Sequence, residues 1–330
     1  MTKRLLSCSP QEMLALDRKG LLDAIRISEG RTVEALCRMR GPNLVQYVTN
    51  AEVAAALGAD IVHLEAYHPQ RPIFPGLPSK NSQDDEVTRM VEVPLGKGWT
   101  LREVRALVGR PISCVLTVPP GYGASMVDSA LGDVSDDVAA GVTLYSAEKA
   151  ELLLSQGADI LCVEGWAEPE IVLSYVKAAK GLIGDRCVLA SGVRHGPGLV
   201  WGTAAPRDLR EIITPDYCAA LADAGADIIQ FPAVGCTPGF NMAYVSALVD
   251  TIHHSGCLAA AGIHSSVEGT DSTTIKRVAL DNKICGADIQ ILGDGGMHET
   301  MGMPETLMAL CIAVKGRRHT YRRMAESVLR

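Results

Sequence analysis

Aromatic side chains are scarce: Phe, Trp and Tyr make up 4% of the 330 residues, with Phe and Trp present three times each. A β-sandwich core built on large rings is therefore a poor fit, whereas Ala, Val, Ile, Leu and 32 Gly suit helices packed tightly on parallel strands. Long apolar runs are also missing. Nothing approaches the length of a membrane span, and charges interrupt MTKRLLSCSPQEMLALDRKG where a signal peptide needs its apolar centre. The expectation is a cytoplasmic protein with no membrane partner. A basic excess is absent too: the net charge is -7 and no stripe of Lys and Arg interleaves with aromatics, so nucleic acid is not an expected partner. The short run Arg317-Arg318-His319-Thr320-Tyr321-Arg322-Arg323 is isolated in an acidic chain, and caps a helix, meets a neighbouring subunit or stays solvated. Ten cysteines show neither CxxC nor a Cys/His metal spacing, and Cys114, Cys162, Cys187 and Cys311 stand inside apolar runs. They read as reduced thiols packed as small hydrophobes.

What the sequence does contain is a repeat. Gly-Ala-Asp occurs at 58–60, 157–159, 225–227 and 286–288, each time between a helix-like segment and a short apolar run. Those runs, IVHLEAY, ILCVEGW, IIQFPAV and IQILGDG, have the pattern of strands buried on both faces of a parallel sheet. The glycine fits the left-handed position that ends a helix. Four further runs alternate with these: TVEALCR (32–38), ISCVLTV (112–118), CVLASGV (187–193) and CLAAAGI (257–263). With helical patterns at 43–57, 100–108, 144–157, 168–183, 206–224, 241–255, 272–285 and 304–315, the order is that of eight βα units. No GxGxxG follows the first strand, so an open dinucleotide-binding sheet is disfavoured, and the expected fold is an α/β (βα)8 TIM barrel. Residues 1–29 read as an N-terminal helical extension, 30–330 as the barrel and 318–330 as a final helix. Two long loops, about 68–99 and 119–142, follow strand ends and so belong to the catalytic face, as lids or as contacts in a homo-oligomer.

In this fold, chemistry sits at the C-terminal strand ends. Residues one, three and five after each repeat Asp share a strand face: Ile61, His63 and Glu65; Ile160, Cys162 and Glu164; Ile228, Gln230 and Pro232. If that face is the inner one, Glu65 and Glu164 lie in one layer. They would then ligate a divalent cation such as magnesium, act as acid and base, or pair with rim cations. His63, deeper in its strand, fits a hydrogen-bonded core residue better than a ligand. Arg38 and Arg40 end the first strand, where a guanidinium forks onto a substrate anion or a rim carboxylate. Arg194 and His195 end the fifth, where a cation and an imidazole suit anion binding and proton transfer. His264, Ser265, Ser266, Glu268 and Gly269 follow the seventh strand, and Gly293, Asp294, Gly295 and Gly296 the eighth. Those two loops commonly hold phosphate in barrels, although a carboxylate at Asp294 opposes an anion.

The strings SSVEGTDSTTI (265–275), LGDGGMHETMGMPETLMALCIAVKGRRHTYRRMA (292–325) and PAVGCTPG (232–239) resemble a family of uncharacterised bacterial TIM barrels. Members of that family carry labels such as haloacid dehalogenase-like hydrolase or phosphoenolpyruvate phosphonomutase-like. The resemblance implies a barrel and small phosphorylated or carboxylated ligands. It does not bring a reaction with it, because neither a DxDxT motif nor a KxCGH-type segment is present. Where relatives have a lysine after the fifth strand this chain has Val193, so no Schiff base forms at that place.

Residues and resemblance together lead to an enzyme of lyase or isomerase type acting on a small anionic carbonyl metabolite. A metabolite-binding or regulatory barrel without catalysis is the alternative. A metal-dependent hydrolase fits less well, since the first strand has no HxH.

Overall fold

The computed structural model describes residues 3–39, 43–80, 94–119, 142–165, 167–193, 208–293, 295 and 300–330. Eight parallel strands close into a barrel in sequence order: β1 (Thr32–Arg38), β2 (Ile61–Glu65), β3 (Ile112–Thr117), β4 (Ile160–Gly165), β5 (Val188–Val193), β6 (Ile228–Pro232), β7 (Leu258–Ile263) and β8 (Ile289–Leu292). The helices before β1 are α1 (Pro10–Leu14) and α2 (Arg18–Arg26). Those around the barrel are α3 (Asn50–Ala56), α4 (Leu101–Val108), α5 (Ala147–Gln156), α6 (Pro169–Ile183), α7 (Pro215–Asp223), α8 (Met242–His254), α9 (Ser272–Ile284) and α10 (Pro304–Ala325). The (βα)8 TIM barrel expected from the alternation is the fold found.

Each Gly-Ala-Asp does two jobs at the start of an even-numbered strand. Its glycine has positive φ, between 94° and 104° at Gly58, Gly157, Gly225 and Gly286, which turns the chain out of the preceding helix. Its aspartate reaches sideways to the strand before. The carboxylates of Asp60, Asp159, Asp227 and Asp288 accept from the backbone N–H of Val33, Ile112, Leu189 and Ala259 at 2.8–3.0 Å. The same four aspartates donate their own N–H to the carbonyls of those residues. A one-residue slip of an even strand would break both bonds, so the repeat sets the barrel register. The negative charge left at the barrel bottom meets Lys315 and Arg323 at Asp60, Arg105 at Asp159, Arg18 at Asp227 and His253 at Asp288.

Helix starts differ from the sequence pattern where a cap intervenes. The pattern at 43–57 becomes helical only at Asn50, because Thr49 and Glu52 form a reciprocal capping box. The one at 206–224 starts at Pro215 behind the N-cap Thr214. Gly316, at φ 75° and ψ 159°, breaks α10 into the two segments that the sequence suggests. The basic run beyond it is less solvated than its charge implies: Arg323 is buried, with its guanidinium on Asp60 and on the carbonyls of Leu5 and Cys8.

Two apolar cores result. The larger lies between strands and helices. The smaller fills the barrel and contains Ile61, Val115, Ile160, Val188, Ile228, Leu258 and Ile289 from the strands. It also contains Leu5, Met13, Leu21, Ala24 and Ile25 from the segment before β1, which therefore closes the barrel bottom. All ten cysteines are buried and none forms a disulfide.

Candidate active site

The upper barrel interior is polar on one side and small on the other. Side chains alternate along a strand, so the face bearing Ile61 and Ile160 also bears His63 and Glu65 on β2, and Cys162 and Glu164 on β4. The same parity places Glu34 and Arg38 of β1 and Ser113 and Thr117 of β3 inside. Opposite them the inward positions are Ala190 and Gly192 on β5, Gln230 on β6, Ala260 and Gly262 on β7, and Ile291 and Gly293 on β8. Half-buried Gln230, flanked in register by Gly192 and Ala260, lies on the open side of the barrel interior.

Glu65 is 1% exposed and Glu164 8%. Arg38 stands beside Glu65 in register and forks onto it, Nε to Oε2 at 3.2 Å and Nη2 to Oε1 at 3.4 Å. Of the two uses open to Arg38, pairing with a carboxylate is the one found. Beneath this pair, His63 Nδ1 and Glu34 Oε1 are 2.5 Å apart and both residues are buried. Burial alone would push the imidazole toward its neutral form. The hydrogen bond that the imidazole N–H donates to Glu34 and the charges of Glu34, Glu164 and Glu65 outweigh burial and raise the pKa of His63. His63 is thus the hydrogen-bonded core residue that its position suggested, but its partner Glu34 went unrecognised. The signal was available, since Glu34 is the acidic residue inside the apolar run TVEALCR and has the parity of Arg38.

The loops after β7 and β8 meet. A Cβ placed on Gly269 would come within 2.9 Å of the Gly295 carbonyl, and one placed on Gly295 would fall on the Glu268 carboxylate. The His264 ring lies over two inward glycines: a Cβ on Gly262 would approach it to 2.5 Å, and one on Gly293 to 2.7 Å. Ser265 and Ser266 are exposed and both have positive φ, 59° and 74°, a conformation L residues rarely adopt and one that clusters at functional sites. Ala66, directly after Glu65, shares it at 57°. His195, Arg194, Arg40, Asp294 and Gly296 lie outside the described residues, as does most of the loop at 119–142. Among the described residues no group of three or more His, Cys, Asp or Glu is arranged to hold a metal ion, and no helix is long and apolar enough to cross a membrane.

The chain belongs to the family described as a domain of unknown function, DUF7916, whose model matches residues 6–330. No curated protein matches it. Among solved structures it is similar to a deoxyribose phosphate aldolase from Aeropyrum pernix, at 15% identity over 87% of this chain and 91% of that one, with a TM-score of 0.43. It is also similar to a putative lyase/mutase from Burkholderia cenocepacia J2315, at 15% identity over 82% and 81%, TM-score 0.46. A third is the YdjI aldolase from Escherichia coli K12, at 9% identity over 94% and 96%, TM-score 0.45. Likeness this distant carries no reaction across, and function has to be argued from the site.

Proposed function

We propose that this member of the family is a lyase- or isomerase-type enzyme that moves a proton on a small carbonyl compound bearing a phosphate or carboxylate. The observation that carries this reading is the group of three buried or nearly buried carboxylates, Glu34, Glu65 and Glu164, with His63 among them at the catalytic end of the barrel. Buried carboxylates cost solvation energy, and a barrel needing only a filled interior would use apolar residues there.

Glu164, the most exposed of the three, is the base: it takes a proton from the carbon next to the substrate carbonyl, and the C–H electrons pass into an enolate. The enolate oxygen receives a hydrogen bond from His264, whose ring lies at the β7–β8 wall. Where the deprotonated carbon bears a hydroxyl, that O–H proton passes to the enolate oxygen to leave an enediolate. The former hydroxyl oxygen then forms the new C=O as Glu164 returns its proton to the former carbonyl carbon, which completes an isomerisation, whereas return to the original carbon gives exchange alone. The phosphate or carboxylate sits on the β7 and β8 loops against the N–H groups of Ser265, Ser266 and Gly295. Arg194 and His195 enter as an anion contact and a proton carrier. The Arg38–Glu65 pair holds the acidic wall in place. Assembly into a homo-oligomer through the long loops belongs to the same reading.

A divalent cation such as magnesium on Glu65 and Glu164 is less favoured, because Arg38 already occupies both oxygens of Glu65. The same occupation favours a second reading, a binding barrel without turnover.

The test uses the full chain in heavy water with pyruvate, dihydroxyacetone phosphate and glyceraldehyde 3-phosphate, following loss of the C–H signal beside the carbonyl by proton NMR. The enzyme reading expects exchange on at least one compound and a loss of about 100-fold or more in Glu164→Gln. Stabilisation by a compound without exchange supports the binding barrel, and neither effect overturns both.

A further inference from the structure

We propose that the barrel mouth takes a hydroxylated carbonyl compound, with a substrate hydroxyl held between Thr117 on β3 and Gln230 on β6 beside Glu164. This deepens the reading above and rests on it for the anionic end of the same ligand.

Thr117 is 1% exposed, points inward beside Glu164 in register, and its hydroxyl has no hydrogen-bond partner among the described residues. Ser113, on the same face of the same strand and beside His63, is fully buried and equally unpartnered. A buried hydroxyl without a partner is costly, and its usual explanation is a missing water or ligand. Slack backbone is not the cause. The Thr117 N–H donates to the Thr143 carbonyl at 2.8 Å, and its carbonyl accepts from Tyr145 N–H at 2.8 Å, so the end of β3 is pinned on both sides while the side chain is left over.

Gln230 supplies the opposite wall. It is half-buried inside a barrel whose other interior residues are nearly all buried, and its carboxamide makes no hydrogen bond among the described residues. Gly192 is its register neighbour, and a Cβ there would come within 2.6 Å of the Gln230 carbonyl, so the glycine keeps that wall open.

The charge pattern selects what fits between. On the deep side of the mouth the described hydrogen-bonding groups beside Glu164, which are Thr117, Ser113 and Gln230, carry no charge and so offer no cation to a second phosphate or carboxylate. An alcohol suits it. A hydroxyl donates to the Glu164 carboxylate while accepting from Thr117 or the Gln230 amide, and Ser113 takes the water beneath.

The experiment compares ligands and variants by thermal shift and calorimetry on the full chain. The probes are glyceraldehyde 3-phosphate, ribose 5-phosphate, 2-deoxyribose 5-phosphate and inorganic phosphate. Thr117→Val keeps the shape and removes the hydroxyl, and Gln230→Ala removes the amide. The proposal expects a hydroxylated phosphate to bind more tightly than inorganic phosphate and each substitution to weaken it about tenfold, with inorganic phosphate unaffected. Equal binding of hydroxylated compounds and inorganic phosphate, or hydroxylated ligands bound unchanged by Thr117→Val, overturns it. Proton exchange on pyruvate would leave the enzyme reading standing in that event. If Thr117→Val fails to fold, Gln230→Ala and the ribose to deoxyribose ratio in the unmodified protein still decide.

Discussion

The His63 imidazole and the Glu34 carboxylate meet at 2.5 Å inside the barrel, one strand apart and out of contact with bulk water. A pair in this position is strongly coupled to folding, because removing either member leaves the other buried without its partner. Glu34→Gln or His63→Leu alone should cost about 3–5 kcal/mol of unfolding free energy, and the double replacement less than the sum. Denaturant titrations of the two single variants and the double variant measure this.

The same pair gives a pH signature. The folded pKa of His63 is raised above the unfolded value of about 6.5. The folded state then holds its proton more tightly, so the associated stability is fully present below pH ~6.5 and is lost as pH rises through the folded pKa. The groups facing this imidazole are Glu34 and, through Glu65, Arg38 from β1, Glu65 from β2 and Glu164 from β4. Melting curves from pH 5 upward should show a decline that His63→Gln flattens. An unchanged slope in that variant would show that the proton is bound elsewhere.

Asp60 works in the opposite direction. Burial pushes its carboxyl up, but the charges of Lys315 and Arg323, with hydrogen bonds from Lys315 and the Val33 N–H, outweigh burial and hold it below the usual range. Its stabilisation is present above the unfolded pKa of about 3.9 and is lost as pH falls through the folded pKa. Asp60→Asn leaves two buried cations short of a partner and should cost about 3–5 kcal/mol at neutral pH. The variant should lose the acid limb of stability seen in the parent.

The repeat made most of this architecture legible, because glycine at a helix end and aspartate at a strand start have local causes. Positions counted from each Asp correctly paired Ile61 with His63 and Glu65, and Ile160 with Cys162 and Glu164, on the inner face. What the sequence did not disclose is lateral. The reach of Asp60 to Val33, the fork of Arg38 on Glu65 and the closure of Glu34 on His63 each join residues of different strands. Alternation assigns a face and says nothing of which neighbour answers a charge. Thr117 and Ser113 were illegible for a related reason, since an unpartnered group is recognised only once its surroundings are known.

Gly157→Ala isolates the backbone part of the repeat. Gly157 has φ 94°, and the nearest atoms to an added Cβ are Arg102 side-chain atoms at 3.6 Å or more, an ordinary contact. The cost is therefore conformational, roughly 1–2 kcal/mol, with no change in ligand binding at the far end of the barrel. A loss well above that range would mean that the strand register had moved.

Glu65 and Glu164 share a layer, yet they should respond differently to the same substitution. Glu65 accepts the Arg38 guanidinium on both oxygens and is 1% exposed, so Glu65→Gln leaves a cation facing a neutral amide. That variant should lose about 3–5 kcal/mol, and activity would fall through misfolding as much as through chemistry. Glu164 is 8% exposed and stands near the end of β4 beside Thr117, nearer the mouth than the Glu34–His63 pair. With Glu164 as the base, Glu164→Gln should lower proton exchange on the substrate by about 100-fold or more, a larger fall than any accompanying loss of folded protein explains. Unfolding free energy and exchange rate measured on both variants separate the roles. If Glu164→Gln retains exchange, Glu164 is not the base. If Glu65→Gln keeps the parent's stability, the Arg38 pair contributes little to folding.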